Sequence, residues 1–418
     1  MGNKCLKCNT YKSILKNNLQ SENIYKVPVT SSIKDLDVQI NKSLKSPIGF
    51  STLSIPPGSK VGLLFDDITR PTPTKIVLPA ILDYLQKIGV KSKDIYLVHS
   101  PGLHISGRNE LQQKVGNYYD WPRLIDHDAR HSDMAFYGIT SFGTPVWVNS
   151  IMKELDYFIG IGCIKPHMDA GFSGGYKIVL PGVAAKETID QNHRLMLSPN
   201  SSIGCVEGNP VRQDIEEAGQ LVGLNFIINF ILNQNKQIVD LVAGDPIKAH
   251  RAGIEKFKKV LGTHIGKKID ITIACTCSEF MSKCLGALVR AQIITKSSGT
   301  IILVAPHLQK WAPFGNVKRF ASFPEDYIYK SSETLANLII TNNLYEIRHG
   351  TAAFNFRSIC ETIKVILVSN NNYQSKAKKM NMGFANTLEQ AFNLVRSTCK
   401  EKPETILLLN TEYIYPLI

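Results

Sequence analysis

Short apolar runs that end abruptly in polar, proline-rich or glycine-rich loops restrict this chain to sheets covered on both faces. Lys60–Asp67 (KVGLLFDD), Asp94–His99 (DIYLVH), Asp156–Gly162 (DYFIGIG), Ile269–Cys275 (IDITIAC), Thr300–Pro306 (TIILVAP) and Lys364–Ser369 (KVILVS) are such runs. Their apolar residues are consecutive rather than alternating, which suits parallel strands buried between helical layers. Helical patterns separate them. Leu78, Ile81, Leu82, Leu85 and Ile88 recur at three- and four-residue steps and predict a helix over 75–88 capped by Thr74, with Pro79 kinking it or ending its first turn. Ser106 is a candidate cap for a helix after PGLHISG, and further helices are expected around 186–197, 280–294 and 384–397. The fold class is therefore α/β, with two α/β domains built on mainly parallel sheets. The expected division is a polar arm over 1–45, a first domain over 46–260 joined by the tail 405–418, and a second domain over 261–404.

Composition narrows the class of function. The 418 residues are 44% apolar and 20% charged, ordinary for a globular protein. No apolar run reaches the roughly eighteen residues of a membrane span, and the N-terminus has no apolar signal core. Nine cysteines without such a signal suggest a reducing, cytoplasmic setting. Cys5-x-x-Cys8 is half of a zinc knuckle with no partner pair, and Cys275-x-Cys277 is equally isolated. The net charge, 48 − 35 = +13, comes from lysines scattered along the chain rather than interleaved with aromatics, which argues against nucleic acid as a partner.

The densest chemistry lies in Lys165–Gly182, KPHMDAGFSGGYKIVLPG, directly after an expected strand. It holds His167, the flexible Gly171, Gly174 and Gly175, and Lys177; His193 follows on the next expected helix. A lysine beside a glycine turn can bind covalently or hold a phosphate, and two histidines can serve as base and metal ligand. TRPTP (69–73) and PGLH (101–104) also fall beyond expected strand ends, where open α/β sheets bind ligands. His127-Asp128-x-x-His131 has metal-ligand types but reads as a solvated loop. No G-x-G-x-x-G follows the first strand, which disfavours an ordinary dinucleotide dehydrogenase.

Six separated segments, DDITRPTP (66–73), PGLH (101–104), KPHMDAGFSGGYKIVLPG (165–182), NH (192–193), GNPVRQD (208–214) and GTIILVAP (299–306), occur in an order that resembles the nickel-dependent lactate racemase family. The resemblance implies a two-domain α/β enzyme with its active site in the cleft between the domains. It implies a nickel-pincer nucleotide, a pyridinium mononucleotide that clamps Ni(II) through two sulfur substituents and a ring carbon, made by separate maturation enzymes. By the same resemblance Lys177 can be joined to that cofactor, Thr69, Gly174 and Gly175 lie against it, and His193 completes the metal's coordination. His104 and His167 would take the substrate hydroxyl proton, while Arg70 and Asp67 face the substrate or position groups around it. The implied reaction is racemisation or epimerisation of a 2-hydroxy acid, lactate or a related acid, by removal of a hydride and its return through a 2-oxo acid. The residue types suit it: imidazoles titrate near neutrality, and a guanidinium fork fits a carboxylate.

The sequence also departs from the pattern. Counting back from Thr300 puts Lys283 and Gly286 where the family uses glutamine and lysine, no tryptophan follows Trp311, Tyr176 stands where arginine is common, and Asp169 adds an acid near His167. The cofactor machinery is retained while the substrate wall is changed. The alternative reading is a catalytically silent homologue that binds the nickel-pincer nucleotide.

Overall fold

The structure, a computed structural model, describes residues 23–104, 107–309, 311, 325–341, 344, 347–396 and 403–418. The candidate cap Ser106, the Cys5/Cys8 pair and the Lys283 side chain lie outside the described residues. Residues 30–259 form one unit, and residues 260–418 with the described segment 23–29 form another.

The first unit is a six-stranded sheet. Its strands are β1 (Val61–Asp66), β2 (Ile95–Ser100), β3 (Leu124–Asp126), β4 (Tyr157–Cys163), β5 (Phe226–Leu232) and β6 (Ile238–Gly244), in the order β6-β5-β4-β1-β2-β3. All neighbours are parallel except the β5–β6 hairpin. Val61, Leu63, Leu64 and Phe65 of β1 are all fully buried, as an unbroken apolar run requires. The helices are α1 (Leu36–Lys45), α2 (Thr74–Lys87), α3 (Arg108–Val115), α4 (Lys186–Arg194), α5 (Pro210–Val222) and α6 (Lys248–Leu261). In α2, Leu78, Ile81, Leu82 and Leu85 are buried as expected. Its first turn closes on Pro73, whose carbonyl accepts from Ile76 and Val77, so Thr74 is the first helical residue rather than the cap. The helix continues through Pro79.

The second unit is an all-parallel sheet of Ile24–Tyr25 with β7 (Ile269–Cys275), β8 (Thr295–Val304), β9 (Lys364–Val368), β10 (Gly383–Ala385) and β11 (Thr405–Leu408). Its order is 24–25, β11, β7, β8, β9, β10.

Two expected boundaries are corrected. The tail over 405–418 does not join the first sheet: β11 pairs with β7 in register Ile271↔Thr405. Leu407 packs with Ile271, Ile273 and Ile302, while Ile406 and Leu408 pack with Ile269 and Ile294, so both faces of β11 are spent inside this unit. The arm does not run to residue 45 either. Ile40 and Leu44 of α1 are buried in the core with β1, β4 and β5 residues, which places residues 30–45 in the first unit.

Candidate active site

Asp66 ends β1, and the loop that follows is tied from below by Lys114 of α3. The Lys114 ammonium donates to Asp66 Oδ1 at 2.6 Å and to the carbonyls of Asp67 (2.9 Å), Arg70 (3.2 Å) and Thr72 (2.9 Å). Asp66 Oδ2 accepts from the Thr72 hydroxyl at 2.6 Å. Three ammonium protons serving four acceptors is saturation, and the side chain is only 2% exposed. The loop 66–72 is thus held as one piece, turned so that Asp67 is buried and Arg70 is half-buried.

Asp67 meets the second loop. Its Oδ2 lies 3.1 Å from His104 Nδ1, and its Oδ1 accepts from Thr69 Oγ1 at 2.8 Å. Thr69 Oγ1 is also 3.2 Å from His104 Nδ1. The PGLH loop is fixed at Gly102, whose N–H donates to Gly182 O at 2.9 Å; a positive φ of 59° there suits glycine. Burial alone would raise the Asp67 carboxyl, but the His104 hydrogen bond, the charges of His104 and Arg70, and the Thr69 bond together hold it well below the usual carboxylate range.

The glycine-rich loop leaves β4 and is clamped by α5. The fully buried Arg212 donates to the carbonyls of Ala170, Phe172 and Gly174. Asn209, the N-cap of α5, donates to Asp169 O at 2.8 Å and accepts from Arg212 N. Gly175 N donates to Asn229 Oδ1 of β5 at 2.8 Å. Gly174 has φ 85°, and a Cβ there would stand 2.5 Å from Asn229 Oδ1; only glycine fits. His167 Nδ1 accepts from the N–H groups of Asp169 and Ala170, each at 3.3 Å.

The same helix holds the one carrying His193. Asn192 of α4 donates to Val211 O (3.2 Å) and Asp214 Oδ2 (2.8 Å), and Asp214 also accepts from Thr140 and Thr144. His193 is buried in the last turn of α4. Helix α5 therefore anchors both the Lys177 loop and the His193 helix.

Burial, followed by the charges of Lys177, Arg70, Lys165 and Arg212, holds His167 well below the ordinary histidine value, so the ring is neutral at pH 7. Burial, then Arg212 and Arg70, likewise holds the Lys177 amine well below its ordinary value, against the opposing pull of Asp169. An unprotonated amine is a nucleophile. Among the described residues no three His, Cys, Asp or Glu side chains gather closely enough to hold a metal. A metal at His193 therefore needs most of its donors from a bound group. A Lys177 amine with lowered proton affinity, a tight glycine turn at 174–175 and a single buried imidazole fit a cofactor that brings its own metal ligands.

Sequence reasoning selected Asp67, Thr69, His104, His167 and Lys177, and the structure joins the first three directly. It missed Lys114 and Arg212, because a lone cation on a helix reads as a solvated charge. His127 lies in a loop, but the solvated reading is corrected: the ring is 2% exposed, bonds Ala184 O at 3.1 Å through Nε2 and pairs Nδ1 with Asn149, and burial pushes it down to about 4. It braces the segment entering α4.

Among known proteins, the profile of the lactate racemase N-terminal domain matches residues 10–204. The lactate racemase of Thermoanaerobacterium thermosaccharolyticum is 30% identical over 277 residues, covering 64% of this chain and 65% of that protein, just under two thirds of its length. The lactate racemase of Lactiplantibacillus plantarum is 29% identical over 364 residues, 84% of each chain. In fold, the solved lactate racemase apoprotein from T. thermosaccharolyticum superposes with a TM-score of 0.80 over 96% of this chain and 97% of that one, at 24% identity. A Thermotoga maritima protein superposes at 0.63 over 93% and 99%, at 17% identity.

Proposed function

We propose that this chain is a member of the lactate racemase family and that it racemises or epimerises a 2-hydroxy acid, lactate or a related acid, with a nickel-pincer nucleotide loaded by separate maturation enzymes. The observation that carries the reading is the Asp67–Thr69–His104 cluster on one loop pair beside a Gly-rich loop whose lysine is held well below its ordinary proton affinity. When bound, the cofactor supplies the acceptor and donor of the α-hydrogen. The chain's own residues do the rest. Arg70 binds the substrate carboxylate with its fork. Asp67 orients His104, and His104 exchanges the hydroxyl proton. Lys177 attaches the cofactor, and His193 is its one protein metal ligand.

The test is expression with the maturation enzymes, then intact mass, nickel content and chiral analysis of a panel of 2-hydroxy acids. A nucleotide-sized adduct, about one nickel per chain and loss of optical purity support the reading. The changed positions Lys283 and Gly286 favour one second reading, a silent cofactor-binding homologue. Loaded protein that racemises no acid in the panel selects it.

A further inference from the structure

Ser173 opens the glycine turn and is pinned through all three of its polar groups. Its N–H donates to Lys165 O at 2.8 Å, and its hydroxyl donates to Cys163 O at 2.7 Å. Its carbonyl lies 2.9 Å from His250 Nε2 of α6. The His250 ring is fully buried and also packs on the turn itself: a Cβ on Gly175 would stand 3.1 Å from its Cγ. Lys177 follows on the short 3₁₀ turn Gly175–Ile178. The direction of the His250 bond is set from the far side of the ring. Arg251 Nη1 lies 3.1 Å from His250 Nδ1, and a guanidinium has only donors, so Nδ1 accepts and carries no proton. Burial, then Arg212, Arg251 and Lys177, hold the ring well below the ordinary histidine value against the opposing Ser173 bond, so it is neutral at pH 7. Its one proton is then on Nε2, aimed at the Ser173 carbonyl. Arg251 is itself fixed: Nη1 and Nη2 donate to the two Glu216 oxygens at 2.7 and 3.0 Å, and Nε donates to Glu207 Oε1 at 2.9 Å.

We propose that His250 is a positioning residue for Lys177: oriented by Arg251, it holds the Ser173 carbonyl and so keeps the glycine turn in the conformation that leaves the Lys177 amine within reach of the Arg212 and Arg70 charges. The use made of that amine rests on the proposed function; its placement does not. Without the His250 donor, the buried Ser173 carbonyl has no partner on α6 and must rotate to find one. The rotation passes directly to Gly174 and Gly175, whose positive φ values of 85° and 61° leave a glycine backbone many alternatives. Lys177 is only half-buried, so a relaxed turn lets its long stem carry the ammonium out to water, where its proton affinity returns toward the ordinary value. The relay Glu216–Arg251–His250–Ser173 thus lets a surface ion pair fix the conformation of a loop it does not touch.

Competitive labelling of the apo-protein with acetic anhydride, read at the Lys177 peptide by mass spectrometry, reports how readily that amine gives up its proton. His250→Leu removes the donor and should slow Lys177 labelling at pH 7 by about tenfold or more, the equivalent of one unit of proton affinity. His250→Gln keeps an N–H that reaches the same carbonyl and should stay within about twofold of wild type. Expressed with the maturation enzymes, the variants should rank the same way in the fraction of chains carrying a nucleotide-sized adduct. Nitrogen-15 spectra of histidine-labelled wild-type apo-protein should show His250 protonated at Nε2, a result that does not depend on whether the leucine variant folds. A His250 ring protonated at Nδ1, labelling of His250→Leu as fast as wild type or faster, or equal losses in the leucine and glutamine variants overturns the proposal. If the wild-type chain takes up no nucleotide, the proposed function fails, and the labelling and the spectra still decide the positioning.

Discussion

Lys114 and Asp66 meet at 2.6 Å beneath the loop that carries Asp67 and Arg70, and the ammonium's remaining protons go to that loop's carbonyls. Removing the cation leaves a buried carboxylate and three buried carbonyls without their donor. Lys114→Met is expected to cost about 3–5 kcal/mol, the range for breaking one side of a buried pair. Urea unfolding at pH 7 measures it. Asp66→Asn keeps one acceptor oxygen and leaves the Lys114 bonds to the three loop carbonyls in place, so it should cost less. Equal stability of Lys114→Met and wild type would show that the loop holds itself.

Asp67 gives a pH signature with a fixed sign. Its folded carboxyl titrates below its unfolded value of about 3.9. The unfolded chain therefore binds the proton first, and the stabilisation from Asp67 is complete above that value and is lost as pH falls through the folded one. The stability difference between wild type and Asp67→Asn should be flat from pH 7 to about 5 and should shrink below about 4. His104→Ala removes the largest influence lowering this carboxyl and should shift the shrinkage to higher pH. A difference that instead narrows on the alkaline side would contradict the pairing.

The strands were legible because parallel strands buried on both faces leave unbroken apolar runs, as β1, β4 and β7 do. The β5–β6 hairpin carries the same signal in FIINFIL and IVDLVAG, but an apolar run buried on both faces does not reveal that its pairing is antiparallel. The destination of TILL was not legible at all: a four-residue strand apolar on both faces suits either sheet, and only the register against β7 decides. The site followed the same division. Histidines and glycines in loops announce themselves by type and spacing. Lys114 and Arg212 do not, because RNELQQKV and PVRQDIEEAGQLV read as ordinary amphipathic helices, and burial of their cations depends on carbonyls supplied from loops 44 and 42 residues away.

The glycine loop is constrained sterically as well as electrostatically. Gly171 has φ 70°, and a Cβ there would lie 2.0 Å from Cys205 O, a backbone atom that cannot swing aside. Gly171→Ala combines left-handed strain with a main-chain clash and should destabilise by about 2 kcal/mol or more. Gly208→Ala is the control: φ is 71° but nothing stands within 4 Å, so only the conformational strain remains, about 1 kcal/mol. Thermal unfolding of the two variants separates the terms, and the steric account fails if they lose equal stability.

Lys177 sets function against stability. Burial, Arg212 and Arg70 all disfavour its charged form, so the folded apo-protein releases the amine's proton at a lower pH than the unfolded chain does. The unfolded state binds the proton more tightly, so this group makes stability rise with pH, and its depressed affinity for the proton is a cost borne by the fold. Lys177→Met keeps the aliphatic stem, removes the titration and should make the apo-protein more stable at pH 7, raising Tm by about 2 °C or more for a unit of this size. The gain should shrink toward pH 10 as the unfolded lysine loses its proton. The same variant, expressed with the maturation enzymes, should carry no covalent nucleotide. Higher Tm together with loss of the adduct is the pattern of a residue kept for chemistry at the expense of stability; a lower Tm at pH 7 would mean that the amine is charged and paired.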